Sequence, residues 1–296
     1  MRTVYLGTSE FAATVLRRLA ESPHRPALVL TRPDRPRGRG RRLASPPVAD
    51  AARELGIALD QPASVNEPHA IDTIAGAQPE AVCVCAFGAL ISEPLLSRYP
   101  MLNVHPSLLP RWRGAAPVER AIMSGDEVTG VSIMELVEAL DAGPVCAQAT
   151  EPIRPDDAYG TLAPRLAALG GDLLVTALDQ RPGCVAQDDA LATYAHKITP
   201  EDRELDPSRS AAELERVVRA LTPHIGCHVL LDDGSRLGVR AARVAAGAAP
   251  PAGTVSFGGP VPVLGCADGS SLELIAVQPP GGRPMSGADY LRGHRR

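Results

Sequence analysis

The amino-acid sequence predicts an α/β protein: a doubly wound, mostly parallel sheet followed by a small β-barrel-like C-terminal domain. Apolar runs of strand and helix character alternate over roughly the first 180 residues, the order that produces right-handed crossovers between parallel strands. The run from Glu80 to Ala86 is almost continuously apolar, as expected of a strand covered on both faces. Beyond the helix that starts after Ser210, short β-like runs alternate with turn pairs such as Asp268-Gly269, which is typical of a small barrel or sandwich.

The period of the apolar residues predicts each element of the first domain. Thr3 to Leu6 is β-prone and Gly7 ends it, after which Phe11, Val15 and Leu19 recur at helical spacing. The same reasoning predicts, in chain order, a strand at 27–31, an arginine-rich loop to about residue 45, a helix at 47–55, a strand at 57–59, a helix at 67–75, strands at 80–86 and 102–105, a helix at 115–124, strands at 128–137 and 145–153, and a helix at 158–178.

The chain is long enough for two hydrophobic cores, since it has 296 residues. Residues 183–205 are richer in polar residues, proline and glycine than their surroundings and are predicted to be a linker. Ser210-Ala-Ala-Glu213 is a capping box that opens a helix ending near Ala220. We therefore expect a larger domain at 1–182 and a β-rich domain at 206–296.

Several classes of protein are disfavoured by the sequence. The N-terminus enters a strand directly, without the apolar segment of a secretory signal, and no run of eighteen apolar residues predicts a membrane span. The six cysteines are scattered, mostly in apolar runs, so we interpret them as reduced thiols of a cytoplasmic protein and expect no metal site. The fingerprints of dinucleotide and P-loop sites are both absent from the sequence.

The most informative segment follows the strand at 102–105. Asn103 and His105 are two residues apart on that strand, so their side chains point to the same face. Such a pair often does no more than hydrogen-bond a loop, but two features favour a site. A loop rich in proline and glycine follows, and Leu140-Asp141-Ala-Gly143 places a carboxylate between two predicted strands. Ligands of doubly wound sheets bind at this carboxyl edge.

These motifs resemble the signature of the 10-formyltetrahydrofolate-dependent formyltransferases. The resemblance is carried by Asn103-Val-His105-Pro-Ser-Leu-Leu-Pro110-Arg-Trp-Arg-Gly-Ala-Ala-Pro117 together with Leu140-Asp141-Ala-Gly143. It extends outward to Tyr5-Leu-Gly-Thr-Ser-Glu-Phe11, Arg32-Pro-Asp-Arg-Pro36, Arg39-Gly-Arg-Arg42, Ala86-Phe-Gly-Ala89 and Ser286-Gly-Ala-Asp289, and so covers nearly the whole chain. It implies the formyltransferase type of α/β fold.

The resemblance also implies an activity: transfer of formyl from 10-formyltetrahydrofolate to the α-amino group of methionine on initiator tRNA. Asn103 is expected to stabilise an oxyanion, His105 to accept or relay a proton, and Asp141 to hold the imidazole or a water molecule. The resemblance further places a folate site at Phe87, Gly88, Ala89, Leu90, Ser107, Leu108, Leu109 and Pro110. Folate is then a co-substrate, and we expect a monomer that needs neither metal nor membrane.

An arginine-rich segment is the expected tRNA contact. Residues 31–42 contain six arginines and one aspartate in a chain whose net charge is −4, and guanidinium groups suit phosphates. A bare arginine run is often only a solvated loop, but related positions in the family grip the acceptor stem. The resemblance therefore assigns tRNA binding to Arg35, Arg37, Arg39, Arg41 and Arg42.

Two alternatives remain open from the sequence. One is a formyltransferase that acts on a small-molecule amine, such as an amino sugar nucleotide, which would not need the arginines. The other is a non-catalytic RNA-binding relative, which the intact Asn103, His105 and Asp141 disfavour. The chain also departs from the family, because Leu221-Thr-Pro-His-Ile-Gly226 lacks the tryptophan of the usual Asn-Pro-Trp-Pro-Gly motif.

Overall fold

The computed structural model describes residues 1–37 and 42–294. The chain forms two compact units. The first comprises Met1–Gly114, Val128–Pro152 and Ala163–Tyr194, and the second comprises Ala115–Glu127, Ile153–Leu162 and Ala195–Arg296.

The first part of the chain alternates strands and helices. Up to residue 180 the elements are β1 (Thr3–Gly7), α1 (Glu10–Ala20), β2 (Pro26–Leu30), β3 (Arg35–Arg37), β4 (Arg42–Ala44), α2 (Pro47–Glu54), β5 (Ala58–Asp60), α3 (Pro68–Gly76), β6 (Ala81–Cys85), α4 (Leu95–Arg98), β7 (Met101–His105), β8 (Arg113–Gly114), α5 (Pro117–Ser124), β9 (Val128–Glu135), β10 (Val145–Pro152) and α6 (Tyr159–Gln180).

Seven of these strands form the main sheet, in the order β10-β9-β7-β6-β1-β2-β5. The strands from β7 to β5 run parallel, while β9 and β10 continue the sheet antiparallel. The predicted mostly parallel, doubly wound sheet is therefore confirmed. Because β6 and β7 are parallel neighbours, with Cys85 beside Val104, the segments that follow them leave the sheet at the same edge.

Local sequence explains the tight turn between β1 and α1. Ser9 caps α1 by accepting a hydrogen bond from the Ala12 amide at 3.3 Å. Gly7 ends β1 where there is no room for a side chain, because a Cβ there would lie 2.7 Å from the Tyr5 ring and 2.9 Å from the Ala12 methyl group. The buried side chains of α1, Val15, Leu16 and Leu19 among them, then join the core.

Helix α6 is long and apolar enough to cross a membrane by length and composition, and half of its most apolar window is buried within the protein. Its buried residues include Leu166 and Leu174, and Gly170 lies close to the Val104 side chain of β7. These are the contacts of a helix that packs on a sheet.

The second unit contains an antiparallel sheet and the helix that packs on it. The remaining elements of the chain are β11 (Tyr194–Ala195), α7 (Ala211–Leu221), β12 (Cys227–Leu230), β13 (Arg236–Val244), β14 (Val255–Ser256), β15 (Val263–Gly265), β16 (Ser271–Gln278), β17 (Met285–Ser286) and α8 (Gly287–His294), with two short 3₁₀ turns at Asp189–Leu191 and Glu201–Arg203. The sheet order is β12-β13-β16-β15-β14, and β17 pairs with β16. This curled sheet confirms the predicted β-barrel-like domain.

The capping box of α7 forms as the sequence predicts. Ser210 accepts a hydrogen bond from the Glu213 amide, and the Glu213 carboxylate accepts one from the Ser210 amide. Leu214, Val218 and Leu221 of this helix are buried against the apolar face of the sheet.

Three sequence interpretations need correction. The segment predicted as an arginine-rich loop contains two short strands, β3 and β4, which pair antiparallel. The C-terminal helix α8 was not among the predicted elements. Finally, the interpretation of all six cysteines as reduced thiols is wrong for Cys146 and Cys184, which form a disulfide, whereas Cys83, Cys85, Cys227 and Cys266 are free and buried.

Candidate active site

Strand β7 presents the two residues that the sequence singles out. Asn103 pairs with Met134 and His105 with Ser132 of β9, without a register shift, so the two side chains project from the same face of the sheet. Val104 projects from the other face, toward α6. Asn103 is half-buried and His105 is almost fully buried at the carboxyl end of the strand.

The His105 ring lies between a backbone carbonyl and a carboxylate. Its Nε2 is 2.9 Å from the Trp112 carbonyl oxygen, and its Nδ1 is 3.6 Å from Oδ2 of Asp141. A carbonyl oxygen only accepts hydrogen bonds, so Nε2 carries the proton of this contact. In the neutral ring, Nδ1 is then the unprotonated nitrogen and faces Asp141.

Asp141 is held on two sides. Its Oδ2 accepts a 2.8 Å hydrogen bond from the Gly114 amide, and its backbone oxygen accepts one from the Gln187 amide group at 2.9 Å. Its φ of 48° is in the left-handed region, which aspartate tolerates better than most residues. Gly143 completes the turn, because a Cβ at this position would lie 1.9 Å from the Glu135 carbonyl oxygen.

The segment Ser107–Pro110 is fixed by the neighbouring antiparallel strands. The Ser132 hydroxyl donates to the Ser107 carbonyl at 2.6 Å and accepts from the Leu109 amide at 3.0 Å. The Gln148 amide group donates to the Leu109 carbonyl at 2.8 Å. Ser107 and Leu109 are buried, whereas Leu108 and Pro110 are partly exposed.

The segment Phe87–Leu90 follows β6 at the same edge of the sheet. Its carbonyl oxygens accept hydrogen bonds from other parts of the unit: Phe87 from the Thr8 hydroxyl, Gly88 from the Arg32 guanidinium and Leu90 from the Asn66 amide group. The Phe87 side chain is buried, while Ala89 is exposed and Leu90 is 74% exposed. An apolar surface therefore adjoins the end of β7.

Three of the arginines assigned to tRNA lie on the paired strands β3 and β4: Arg35, Arg37 and Arg42. Arg35 is exposed, and Arg37 pairs with Arg42 across the two strands. Arg39 and Arg41 lie outside the described residues.

Sequence reasoning missed four residues that shape this site. Ser132, Gln148, Gln187 and Thr193 each hydrogen-bond one of the site segments, and Thr193 accepts from the Trp112 amide at 2.9 Å through its hydroxyl. The bonds of Gln187 and Thr193 span 46 and 81 positions of the chain. A polar residue in a segment interpreted as a linker carries no local signal of such a contact.

Among the residues that the structure describes in this unit, one group of potential metal ligands lies outside the site formed by Asn103, His105 and Asp141. Glu135, Cys146 and Cys184 bring their ligand atoms within 4.8 Å of one another. Both sulfurs are joined in the disulfide, so the group offers one carboxylate and no thiolate as ligand.

Comparison with known proteins covers nearly the whole chain. Residues 1–178 match the formyl transferase family and residues 197–295 match the formyl transferase C-terminal domain. The chain is 41% identical to the methionyl-tRNA formyltransferase of Pseudomonas paraeruginosa, over all of this chain and 96% of that protein.

Solved structures share the fold at much lower identity. HypX from Aquifex aeolicus, in complex with tetrahydrofolic acid, matches with a TM-score of 0.65 and 18% identity over 98% of this chain and 47% of that one. The N-formyltransferase of Helicobacter canadensis, in complex with folinic acid and dTDP-3-aminofucose, matches with a TM-score of 0.67 and 13% identity over 93% of this chain and 98% of that one.

Proposed function

The chain belongs to the formyl transferase family, and from that premise we propose that it transfers the formyl group of 10-formyltetrahydrofolate to the α-amino group of methionine on initiator methionyl-tRNA. The relative from Pseudomonas paraeruginosa, matched over 96% of its length, is named methionyl-tRNA formyltransferase. The observation that carries the proposal is the meeting of His105 and Asp141, 3.6 Å apart, at the end of the strand that bears Asn103.

The site residues have distinct roles in this reaction. Attack of the amine on the formyl carbon builds a tetrahedral centre with an oxyanion, to which the Asn103 amide group donates a hydrogen bond. The amine must also lose a proton, and Nδ1 of His105 accepts it because Nε2 already donates to the Trp112 carbonyl. The Asp141 carboxylate then stabilises the imidazolium by charge. The tetrahedral centre collapses as the bond from the formyl carbon to N10 of the folate breaks, and the imidazolium returns its proton to that leaving nitrogen, so that formylmethionyl-tRNA and tetrahydrofolate are the products.

The segments beside these residues suit a folate co-substrate. A flat pterin needs an apolar slot with a few backbone hydrogen bonds. Ala89 and Leu90 offer exposed apolar surface, while the carbonyl oxygens of Phe87, Gly88 and Leu90 are already engaged and fix the shape of the segment. We place the folate site at Phe87–Leu90 and Ser107–Pro110.

We assign the tRNA contact to the arginines at 35, 37, 39, 41 and 42, supported by their excess over acidic residues in this stretch. The β-rich domain, 206–296, helps dock tRNA in this proposal, with residues 183–205 as its connection to the catalytic domain, 1–182. We further propose that the protein is cytoplasmic and monomeric.

The direct test is to incubate the protein with methionyl-tRNA and labelled 10-formyltetrahydrofolate. Label is expected in the RNA fraction, as formylmethionine. Asn103→Ala and His105→Ala should each lower kcat by on the order of 10²- to 10⁴-fold while the proteins stay folded. Absence of label with the wild-type protein, or full activity of both variants, would contradict the proposal.

A second candidate substrate is an amino sugar nucleotide, since one structural neighbour is bound to dTDP-3-aminofucose. The same assay with this compound as acceptor distinguishes the two. If the sugar nucleotide is formylated and methionyl-tRNA is not, the tRNA assignment is wrong. A non-catalytic RNA-binding relative would bind tRNA without turnover in either assay.

A further inference from the structure

The Cys146–Cys184 disulfide lies close along the chain to the segments that hold Asp141. Cys146 is the second residue of β10, and Cys184 follows α6 by four residues. Next to it, Val145 and Val185 exchange two backbone hydrogen bonds, of 2.8 and 2.9 Å. We propose that this disulfide is a thiol–disulfide exchange site for low-molecular-weight thiols, and that its oxidation state sets how firmly Asp141 is held.

Gln187 links the disulfide to the site. It comes three residues after Cys184, and its amide group donates to the carbonyl oxygens of Asp141 at 2.9 Å and Gly143 at 2.7 Å. Its own oxygen accepts from the buried Arg113 guanidinium at 3.0 Å. The segments 141–146 and 184–187 are therefore joined covalently at one end and by Gln187 at the other.

The closed disulfide lowers the entropic cost of the hydrogen bonds that Gln187 donates to the Asp141 and Gly143 carbonyl oxygens. Gln187 and Asp141 are 46 positions apart in sequence, but the disulfide shortens the covalent path between them to about ten residues. The cost of bringing two chain positions together rises with the length of the path between them. In the reduced protein, Gln187 should leave Asp141 more often, and the carboxylate should lie less often 3.6 Å from His105.

The two cysteines lie beside a cavity large enough for a small thiol. Both cysteines are half-buried and line a cavity of about 350 Å³, to which Leu102, Glu135, Arg181 and Pro182 also contribute. Three of the free cysteines are poor nucleophiles by comparison, because burial raises the pKa of Cys83, Cys85 and Cys227 to about 12 and so disfavours the thiolate. Disulfides of cytoplasmic proteins are usually transient, catalytic or redox-sensing, which agrees with the proposed location.

The exchange reaction is balanced with a dithiol as the partner. A thiolate of the dithiol attacks one cysteine sulfur, a mixed disulfide forms, and the other cysteine leaves as a thiolate that takes up a proton. The second thiol of the reagent then displaces the first cysteine and forms a cyclic disulfide. The net products are two protein thiols and one oxidised reagent; glutathione disulfide reverses the change and yields two molecules of glutathione.

The test compares the full-length protein before and after treatment with dithiothreitol. Alkylation under native conditions should label Cys146 and Cys184 only after reduction, as read by peptide mass spectrometry. Reduction should lower kcat on the order of 3- to 10-fold, leave KM for both substrates within twofold, and be reversed by glutathione disulfide. Cys146→Ser/Cys184→Ser should show the lower kcat and no response to dithiothreitol, whereas Cys266→Ser should respond like the wild type.

The kinetic part of this inference rests on the proposed function, so one measurement is independent of turnover. The NMR signals of the His105 ring at fixed pH should move on reduction, in the same direction as in Gln187→Ala. If wild-type protein fails to formylate methionyl-tRNA, the proposed function fails while labelling and NMR still test the exchange site. Equal kcat and unchanged His105 signals after full reduction of both cysteines would overturn the inference.

Discussion

At the scale of single residues, Gly143 is required because of its surroundings. A side chain there would start 1.9 Å from the Glu135 carbonyl oxygen, a contact that only a backbone shift relieves. The shift would move Asp141, two residues earlier, away from the Gly114 amide and His105. We therefore expect Gly143→Ala to lower kcat by roughly tenfold or more, since a displacement of about 1 Å at a reacting centre costs up to 10²-fold.

The matched control for this change is Gly76→Ala. Gly76 ends α3 with ordinary helical backbone, and a Cβ there would meet nothing within 4 Å. This variant should keep full kcat and gain slightly in thermal stability, because alanine favours helix more than glycine does. Steady-state kinetics and melting curves of the two variants decide the matter; equal kcat for both would mean that the turn tolerates a side chain.

His224 shows how one residue replaces another of different size. It stands where the related motif carries tryptophan, and its ring stacks on Tyr159 with the centroids 3.6 Å apart. Its Nε2 also lies 2.9 Å from the Glu119 carboxylate, a contact that an indole ring provides through its own N–H. Burial in this cluster raises the pKa of Tyr159 to about 12. His224 therefore supplies both a stacked ring and a polar contact at this position.

At the scale of secondary-structure elements, an ion pair joins α5 to the 3₁₀ turn at Glu201–Arg203. The Arg120 guanidinium donates two 2.8 Å hydrogen bonds to the Asp202 carboxylate, which is mostly buried. These bonds hold the pKa of Asp202 below its usual range. The carboxylate is therefore favoured in the folded state, and the stabilisation is complete at pH values above the ordinary aspartate pKa and lost as pH falls through the lowered one.

Arg120→Ala should consequently reduce the free energy of unfolding at pH 7 by about 1 kcal/mol. Below pH 4, the free energy of unfolding of this variant should decrease less with falling pH than that of the wild type. Urea unfolding at pH 7 and pH 3 measures both effects. The control is Arg209→Ala, which removes a more exposed ion pair with Glu213 at 3.7 Å and should change little at either pH. An unchanged pH dependence in Arg120→Ala would show that the pair contributes nothing to acid stability.

The elements differ in how far the sequence predicts them. The sheet strands and α1 have clear apolar periods, so their existence follows from the pattern. The strands β3, Arg-Pro-Arg, and β4, Arg-Leu-Ala, have three residues each and are too short to show such a period. Helix α8 did carry a signal: Ser286-Gly-Ala-Asp289 has the spacing of a capping box, and the Ser286 hydroxyl accepts from the Asp289 amide at 3.1 Å.

The residues of the candidate site also differ in how far the sequence predicts their positions. Asn103 and His105 are two positions apart on one strand, so the two-residue period of a strand is enough to predict that their side chains share a face of the sheet. The sequence itself places Asp141 between two predicted strands, but its role beside His105 is predicted only through the family resemblance, since its approach to His105 depends on how β9 and β10 extend the sheet. Gln187 and the Cys146–Cys184 disulfide depend on the path of the chain after α6, which no local pattern specifies.

At the scale of the whole molecule, charge distribution is the main property that bears on tRNA binding. The chain has a net charge of −4, although residues 31–42 contain six arginines and one aspartate. A protein that is acidic overall gains no general affinity for nucleic acid from its net charge. The salt dependence of methionyl-tRNA binding should therefore come largely from this arginine-rich stretch, and binding should fall steeply with salt.

Replacing Arg39, Arg41 and Arg42 together by alanine tests this dependence. If each contacts a phosphate, the slope of log affinity against log salt concentration should fall by about 2 to 3, since each phosphate contact contributes roughly 0.7 to 0.9. KM for the folate should stay unchanged, because the proposed folate segments follow β6 and β7 and contain none of the three arginines. Arg98→Ala removes an exposed arginine outside the stretch and should keep the wild-type slope. Filter binding from about 50 to 200 mM salt gives the slopes, and a triple variant with the wild-type slope would rule out this stretch as the tRNA contact.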